Sequence, residues 1–478
     1  MKLAQALRIL PKPLPSPAPN ALSGTRTSIV GEEIAFVGAG GKTTAMFQLA
    51  RELPPPVIVS ATTHLGAWQI PLADKHIIAT TPAPLEAIEH SLSGVILVTG
   101  KIKDDRTKPL DDKVMLWLRE FCGYHSLPLL VEADGSRQKA LKAPGAHEPP
   151  IPAFAELVVV VAGLSGLGKP LDEENVHRPE IFGRLSGLQP GELVTPAALA
   201  RVLTHREGGL KNIPENARRV VILNQADTPE AQAQADSLVK DLLPSYHSVI
   251  IASLKEGQIH AVREPIAGIV LAAGGSLRYG QPKQLLDWRG EPFVRAVAQM
   301  ALEAGLSPVI VVTGGYADKV QSAVRDLPVR IAHNPDWQSG QASSIKAGIQ
   351  ALTPGPHRRS VPPPPFSTEA RGKWGRPGGG IFLLTDQPQV TPTILHALVE
   401  EHAATLAPVV APMVLDRRAN PVLFDRATFP DLLKLEGDVG GRAIFSKHKV
   451  TYLPWHDDAL LLDVDTPEHY QRLKDLLE

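Results

Sequence analysis

Residues 266–288 read Ile-Ala-Gly-Ile-Val-Leu-Ala-Ala-Gly-Gly-Ser-Leu-Arg-Tyr-Gly-Gln-Pro-Lys-Gln-Leu-Leu-Asp-Trp. Ile266 to Ala272 is an unbroken apolar run of strand length, the pattern of a strand buried on both faces. Ala272 and Ala273 lead into a loop holding Gly274, Gly275 and Gly280, with Ser276, Arg278 and Lys283 among them. Glycines let a backbone close on a ligand, and successive N–H groups turned inward form an anion cradle. Arg278 and Lys283 add fixed positive charge, so the loop suits a polyphosphate. An ordinary glycine-rich turn explains the glycines but not two cations at these offsets.

The chain around this loop has 478 residues, long for one core, and two or three domains are expected. Hydrophobic content of 43% with 21% charged residues describes a soluble globular protein. A formal net charge of −1 argues against a general nucleic-acid binder. The single Cys122 excludes an internal disulfide and a cysteine-based zinc site, and reads as a small buried residue. No apolar run reaches the ~18–20 residues of a membrane span, and Met1 to Leu10 lacks a signal-peptide core. A cytoplasmic location is expected.

Four segments are expected: a short helix and proline-rich spacer (1–29), a first α/β domain (30–253), a polar linker (254–265) and a second domain (266–478). The stretch 354–380, with Pro362 to Pro365 and Gly378 to Gly380, reads as a mobile surface insertion.

In the first domain, Ile34 to Val37 reads as a buried strand, followed by Gly38-Ala-Gly40-Gly41-Lys42-Thr43-Thr44 and a helical pattern. This is the context of a phosphate loop, in which Lys42 neutralises phosphate and Thr43 holds Mg²⁺. Phe36 stands where the Walker A pattern begins with Gly. Strands at 57–60, 95–98, 127–131, 157–161, 220–223 and 249–252 alternate with helices, implying a doubly wound, mostly parallel sheet. Ligands collect at the C-terminal ends of such strands. The groups there are Thr62-Thr63-His64, Thr99-Gly-Lys101, Glu132-Ala-Asp134-Gly-Ser-Arg137 and Asn224-Gln-Ala-Asp227. Asp134 is either a magnesium-side acid or a turn residue. Asn224 and Asp227 resemble a guanine-recognition pattern, with Gln225 in place of its lysine. His64, His147 and His177 read as surface or hydrogen-bonding residues rather than a metal set.

In the second domain, Ile381 to Thr385 runs into Asp386, and Leu460-Leu-Leu-Asp463-Val-Asp465 repeats the design. Two such acids beside a triphosphate loop point to Mg²⁺, which takes one or two carboxylates plus phosphate oxygens and water. Asp463 is the weaker candidate. Ser343 and Ser344 begin a helix, where hydroxyls cap it or meet a ligand.

The 271–283 loop resembles the signature of the molybdenum cofactor nucleotidyltransferases, in their cytidylyltransferase branch. Tyr279 departs from the more usual Met. The resemblance implies a Rossmann-like nucleotidyltransferase fold, with Asp386 and Asp465 holding the metal and Ser343 and Ser344 in the nucleotide pocket. It makes CTP and molybdopterin the substrates. Arg418, Asn420 and Arg442 match the acceptor-side motifs, with Asn420 at a place often held by His; a salt bridge would equally explain Arg442.

The first half is similar to the accessory protein family of selenium-dependent molybdenum hydroxylases. It carries, in order, Gly38–Thr44, Val131–Ser136, Leu141–Pro144 with His147-Glu148-Pro149, Gly163–Pro170 and Val176–Pro179. That resemblance implies binding of a nucleotide such as ATP or GTP and service to a molybdenum hydroxylase apoenzyme. The alternatives are another small-molecule cytidylyltransferase and a nucleotide-binding cofactor carrier without transferase activity.

Overall fold

A computed structural model describes residues 1–9, 32–87, 89–275, 279, 281–352 and 377–475. The chain forms two compact units, Met1–Arg263 and Glu264–Glu478.

Unit 1 is built on nine strands: β1 (Glu33–Gly38), β2 (Val57–Ala61), β3 (Lys75–Ile78), β4 (Val95–Thr99), β5 (Leu129–Glu132), β6 (Leu157–Gly163), β7 (Arg218–Asn224), β8 (Ser248–Ser253) and β9 (Gln258–Arg263). They lie in the order β9-β8-β7-β6-β1-β5-β2-β4-β3, all parallel except β9. Strand β1 is central and buried from Glu33 to Val37. Burial on both faces is why these strands read as continuous Val/Ile/Leu runs. One face packs Ile58, Ile96, Val98, Leu129 and Val131 against the apolar side of the helix Asp112–His125, including the buried Cys122.

The expected linker is structured. Ile259, Ala261 and Val262 are buried, and 258–263 closes the sheet as an antiparallel edge strand. The polar, aperiodic look came from Leu254–Glu256, a single 3-10 turn. The first residues are not a separate segment either. Helix α1 (Leu3–Ala6) is part of unit 1: Leu3 and Ala6 are buried, and Ala4 N donates to Glu52 at 2.7 Å.

Unit 2 has β10 (Ile266–Ala272), β11 (Val309–Thr313), β12 (Arg330–His333), β13 (Gly379–Leu384), β14 (Val409–Val414), β15 (Arg417–Arg418), β16 (Val422–Asp425) and β17 (Val450–Pro454). The order is β12-β11-β10-β13-β16-β14-β15, with β17 parallel to β14. Strands β10 to β13 are mutually parallel; β16 runs antiparallel to both β13 and β14. Alternate residues of β10 enter two cores. Ile266 and Val270 meet the helices Phe293–Glu303 and Pro392–Thr405, while Ala267 and Ile269 meet Ile345 and Ile349 of Gln341–Ala351.

Most of the proposed insertion, 353–376, lies outside the described residues. Its end does not behave as an insertion: Gly379 and Gly380 begin β13, paired to Ile266 and Ala267 of β10 and to β16. A side chain at Gly379 would sit 2.6 Å from the Phe424 carbonyl oxygen, so this glycine serves close strand packing. The segment before Asp465 is also not a strand. Asp458–Leu461 is a 3-10 turn, and Leu460 and Val464 are anchored in different apolar clusters, which straight pleating could not serve.

Candidate active site

Strand β10 ends at Ala272, and the chain turns through Ala273, Gly274 and Gly275. Ser276, Arg278 and Gly280 lie outside the described residues. The loop's two ends are tied together by buried Gln284, whose amide donates to the Ala272 and Gly274 carbonyls at 3.2 and 2.5 Å. Trp337 forms a wall beside the turn. A side chain at Gly275 would lie 2.6 Å from its ring, and one at Gly314 2.7 Å from its Cβ. Here glycine is required by close approach.

Lys283, in the short turn Lys283–Leu285, points its ammonium at two acids distant in sequence. It donates to Asp465 Oδ1 at 2.8 Å and stands 3.5 Å from Asp386 Oδ2. Burial pushes the Asp386 carboxyl up; the Lys283 charge opposes this, while Asp463 and Asp465 add to it. Burial also raises Asp463, with Asp465 reinforcing it and the Arg442 charge pulling the other way. Asp463 itself accepts from the Gln387 amide at 2.7 Å. Two all-oxygen donors, crowded by a third carboxylate and partly desolvated, suit a hard divalent cation. Among the described residues no group of three or more His, Cys, Asp or Glu forms a metal cage.

On the neighbouring face, buried Asn334 donates one amide nitrogen to Ser343 Oγ at 2.8 Å and Ser344 Oγ at 3.0 Å. Both serines lie in the first turn of Gln341–Ala351. The 437–442 loop rests on that helix start: Ala342 N donates to the Gly437 carbonyl at 3.2 Å. Arg442 approaches the Arg418 carbonyl and Asn420 Oδ1 at 3.3 and 3.4 Å. Arg418 lies over the Phe445 and Tyr452 rings. Arg418 and Arg442 are exposed, and the Arg442 charge is felt at Asp463.

In unit 1, β1 delivers Gly38 to the loop that opens the helix Lys42–Glu52. Gly38, Gly40 and Gly41 have φ of 99°, 75° and 128°. A side chain at Gly38 would lie 2.2 Å from the Val161 carbonyl oxygen, so the loop hugs β6. Lys42 is 4% exposed; its ammonium donates to the Gly38 carbonyl at 2.7 Å and faces Asp134 at 3.3 Å. Asp134, 2% exposed, also accepts from Gly38 N at 3.0 Å and Lys142 at 2.8 Å. Lys142 reaches on to Glu148, which Arg178 grips with two hydrogen bonds of 2.7 Å. Thr43 donates instead to Glu132, at 2.8 Å, and accepts from the Gln69 amide at 3.1 Å. Burial raises the Glu132 carboxyl; Lys42 and the Thr43 hydrogen bond oppose it.

Residues 34–180 match the YqeC protein family, and residues 268–452 match the MobA-like NTP transferase domain. The chain is 34% identical over 218 residues to the uncharacterized protein YqeC of Escherichia coli, spanning 43% of this chain and 80% of that protein. It is 31% identical over 219 residues to nicotine blue oxidoreductase of Paenarthrobacter nicotinovorans, spanning 44% and 96%. The chain belongs to both families, YqeC first and MobA-like transferase second. It is a nucleotidyltransferase. Purine catabolism protein PucB of Bacillus subtilis is 28% identical over 231 residues, 45% of this chain and 98% of that one. Among solved structures, Rv0371c of Mycobacterium tuberculosis shares 29% identity over 44% of this chain and 97% of its own, with a TM-score of 0.37.

Within the transferase domain, the expected residues Lys283, Asp386 and Asp465 come together, as do Ser343 with Ser344 and Arg418 with Asn420 and Arg442. Within the YqeC domain two expectations change. Asn224 is buried and turned onto the loop: it donates to the Gly40 carbonyl at 2.7 Å and accepts from Leu254 N at 2.9 Å, pinning the two segments together. Asp227 is exposed beyond it, and Thr44 is exposed on the helix. Asp134 is held by lysines, and the acid that reaches Thr43 is Glu132. Sequence reasoning placed Glu132 only within the group that ends its strand, and gave no separate role to Gln69, Lys142, Asn334 or Gln284. Glu132 was within reach, because it is the last residue of the strand neighbouring β1. No helix is long and apolar enough to cross a membrane among the described residues.

Proposed function

We propose that the transferase domain moves CMP from CTP to the phosphate of molybdopterin in a Mg²⁺-dependent reaction that releases pyrophosphate. The YqeC domain is the nucleotide-binding partner function, taking ATP or GTP on its 38–44 loop in the service of a molybdenum hydroxylase apoenzyme. The observation that carries the first reading is the convergence of Lys283, Asp386 and Asp465 beside the β10 turn.

An acceptor phosphate oxygen attacks the α-phosphorus, and the bond from that phosphorus to the bridging oxygen breaks as pyrophosphate leaves. Both reactants are anions, so the protein must align them and neutralise charge; no covalent nucleophile is needed. The loop amides, among them those of Ala273, Gly274 and Gly275, would hold the β and γ phosphates together with the charge of Arg278. Lys283 offsets charge growing at the α-phosphate. Asp386 and Asp465 would hold Mg²⁺, which would supply charge neutralisation at the reacting phosphates. Ser343 and Ser344, fixed by Asn334, meet the nucleoside, and Arg418, Asn420 and Arg442 receive the acceptor phosphate.

Pyrophosphate release by the full chain, with molybdopterin and each of CTP, GTP and ATP in turn, tests the reading. CTP and Mg²⁺ should support release and EDTA should stop it. Release with GTP in preference to CTP would overturn the choice of donor, and none with any nucleotide would overturn the acceptor.

A further inference from the structure

We propose that the YqeC domain carries a further ligand site, built from the segment 62–69 and the hairpin 102–107, for a flat, amino-bearing heteroaromatic anion. That chemistry is shared by a pterin phosphate and a nucleotide. The site lies beside the 38–44 loop but needs no nucleotide there, so it stands or falls apart from the phosphate-loop reading.

Three observations carry it. The first is an exposed aromatic ring that is nonetheless held in place. Trp68 is 63% exposed, yet a side chain at Gly66 would lie 2.4 Å from its Nε1, so the indole is folded back on the Gly66 backbone. Gly66 in turn bridges Arg106 of the hairpin, and Ala67 N donates to the Asp105 carbonyl at 2.7 Å. A large ring left in water but fixed against backbone is a stacking platform for a planar ligand.

The second is a set of buried oxygens without partners. Thr43 gives its proton to Glu132 at 2.8 Å, so the Gln69 amide must donate to Thr43, at 3.1 Å, and Gln69 Oε1 is left over. Gln69 is 8% exposed and that oxygen has no hydrogen-bond partner; neither do the buried hydroxyl oxygens of Thr62 and Thr63. His64, exposed between them, donates from Nδ1 to the Thr107 carbonyl at 2.9 Å, which makes Nε2 of the neutral ring an acceptor as well. Thr62 N donates to the Glu132 carbonyl at 3.1 Å, so both ends of the segment return to the Thr43–Glu132 pair. Unmet buried acceptors are costly, and a ligand bearing N–H donors relieves that cost.

The third is charge. Lys101, Lys103, Arg106 and Lys108 are exposed on and beside the hairpin, against two acids, Asp104 and Asp105. Among the described residues none of the four cations is in an ion pair. The whole chain has a formal net charge of −1, so this positive patch is local, and it favours an anion.

The test uses the full chain labelled with 5-fluorotryptophan, in which Trp68→Phe identifies the Trp68 fluorine resonance among the six. Pterin-6-carboxylate and GMP are titrated, each beside its analogue without the exocyclic amino group, lumazine-6-carboxylate and IMP. At least one amino compound should shift the Trp68 resonance saturably, and its analogue should bind about fivefold more weakly or worse, the scale of one lost hydrogen bond. A shift with pterin-6-carboxylate alone identifies a pterin ligand, with GMP alone a nucleotide, and with both the shared chemistry itself. Lys103→Glu with Arg106→Glu should weaken the binding by about 10-fold at low salt, and less at high salt. Gln69→Leu should leave the shift but bring the amino compound and its analogue to within about twofold of each other. Thermal unfolding verifies that each variant is folded, and the surface charge reversal carries the test if Gln69→Leu is not. No saturable shift of the Trp68 resonance with either amino compound overturns the site. Equal affinity for the amino compounds and their analogues, or an affinity untouched by the charge reversal, overturns the assigned ligand chemistry.

Discussion

Each domain sets a lysine beside a glycine-rich turn after a central parallel strand, and each lysine faces carboxylates, but the two pairings differ in kind. Lys42 is buried in a charge chain that runs through Asp134, Lys142, Glu148 and Arg178, each cation meeting an acid. Lys283 is more open, with Asp386 and Asp465 exposed by 26% and 47% at their side chains. Buried, mutually satisfied charges hold a loop in one shape, since breaking any pair strands a partner away from water. Open charges are cheap to rearrange and can trade partners when an anionic substrate arrives. The YqeC loop is therefore fixed in advance, whereas the transferase lysine sits in a pairing that costs little to rearrange.

The sharpest way to break this contrast is at Lys142, whose side chain is 3% exposed and bonded to Asp134, the Gly135 carbonyl and Glu148. Lys142→Met should destabilise the YqeC domain by about 3–5 kcal/mol, the scale for removing one member of a buried ion pair. Denaturant unfolding of the full chain should show that loss in the transition of this domain alone. A change below about 1 kcal/mol, the scale of exposed pairs, would mean the network is no more than a set of surface contacts.

At Lys283 the expected loss is in rate rather than stability. Lys283→Ala should lower turnover by about 10²–10³-fold, the scale for one preorganised charge-stabilising group. Unfolding should hardly change, because the pair it breaks is partly solvated. Near-normal pyrophosphate release in this variant would remove Lys283 from the mechanism.

Why the two sites differed in legibility follows from where their partners sit in the chain. The positions of most parallel strands and the two glycine-rich turns were readable, because continuous apolar runs and glycines with flanking cations are local patterns. Asp386 was readable for the same reason, as an acid ending a strand. Asp465 was found for an imperfect reason, since its segment is a 3-10 turn and irregular chain rather than a strand. Glu132 against Asp134 was not decidable locally. Both lie at the end of one strand, and the choice depends on Lys142 and Thr43, which approach from other parts of the fold. Asn334 gave no signal either, because its role is to fix two serines on a later helix. The strand 258–263 was hidden by its polar edge positions, as edge strands tend to be.

The charge chain also predicts a pH response. Burial, then the charges of Arg178 and Lys142, hold His177 at about 4, below its ordinary 6.5. The folded state thus resists protonation that the unfolded chain accepts. The stability contributed by neutral His177 is complete above pH 6.5, falls as the pH drops, and is gone below about 4. His177→Asn should flatten the decline of YqeC-domain stability across that window and leave the transferase transition unchanged. An unaltered slope would show that burial and the Arg178 and Lys142 charges do not hold His177 below its ordinary range.

The smallest effect is expected where the transferase domain is itself preorganised. Asn334 holds the hydroxyls of Ser343 and Ser344 with one amide nitrogen, and Ser343 also donates to the Gly340 carbonyl at 2.8 Å. Ser343→Ala removes one hydroxyl but leaves Asn334 bonded to Ser344, so no buried donor is stranded. The cost should be that of a single neutral hydrogen bond to the nucleotide, about 1 kcal/mol. It should appear as a roughly fivefold rise in KM for CTP with kcat unchanged, the mark of binding felt equally in ground and transition states. Asn334→Ala, by contrast, frees both hydroxyls and the Asp336 amide that Asn334 accepts at 3.0 Å, and should cost more than either serine alone. Equal KM values for Ser343→Ala and wild type, with Asn334→Ala raised, would assign Asn334 to the architecture of the helix start and take Ser343 out of the nucleotide pocket.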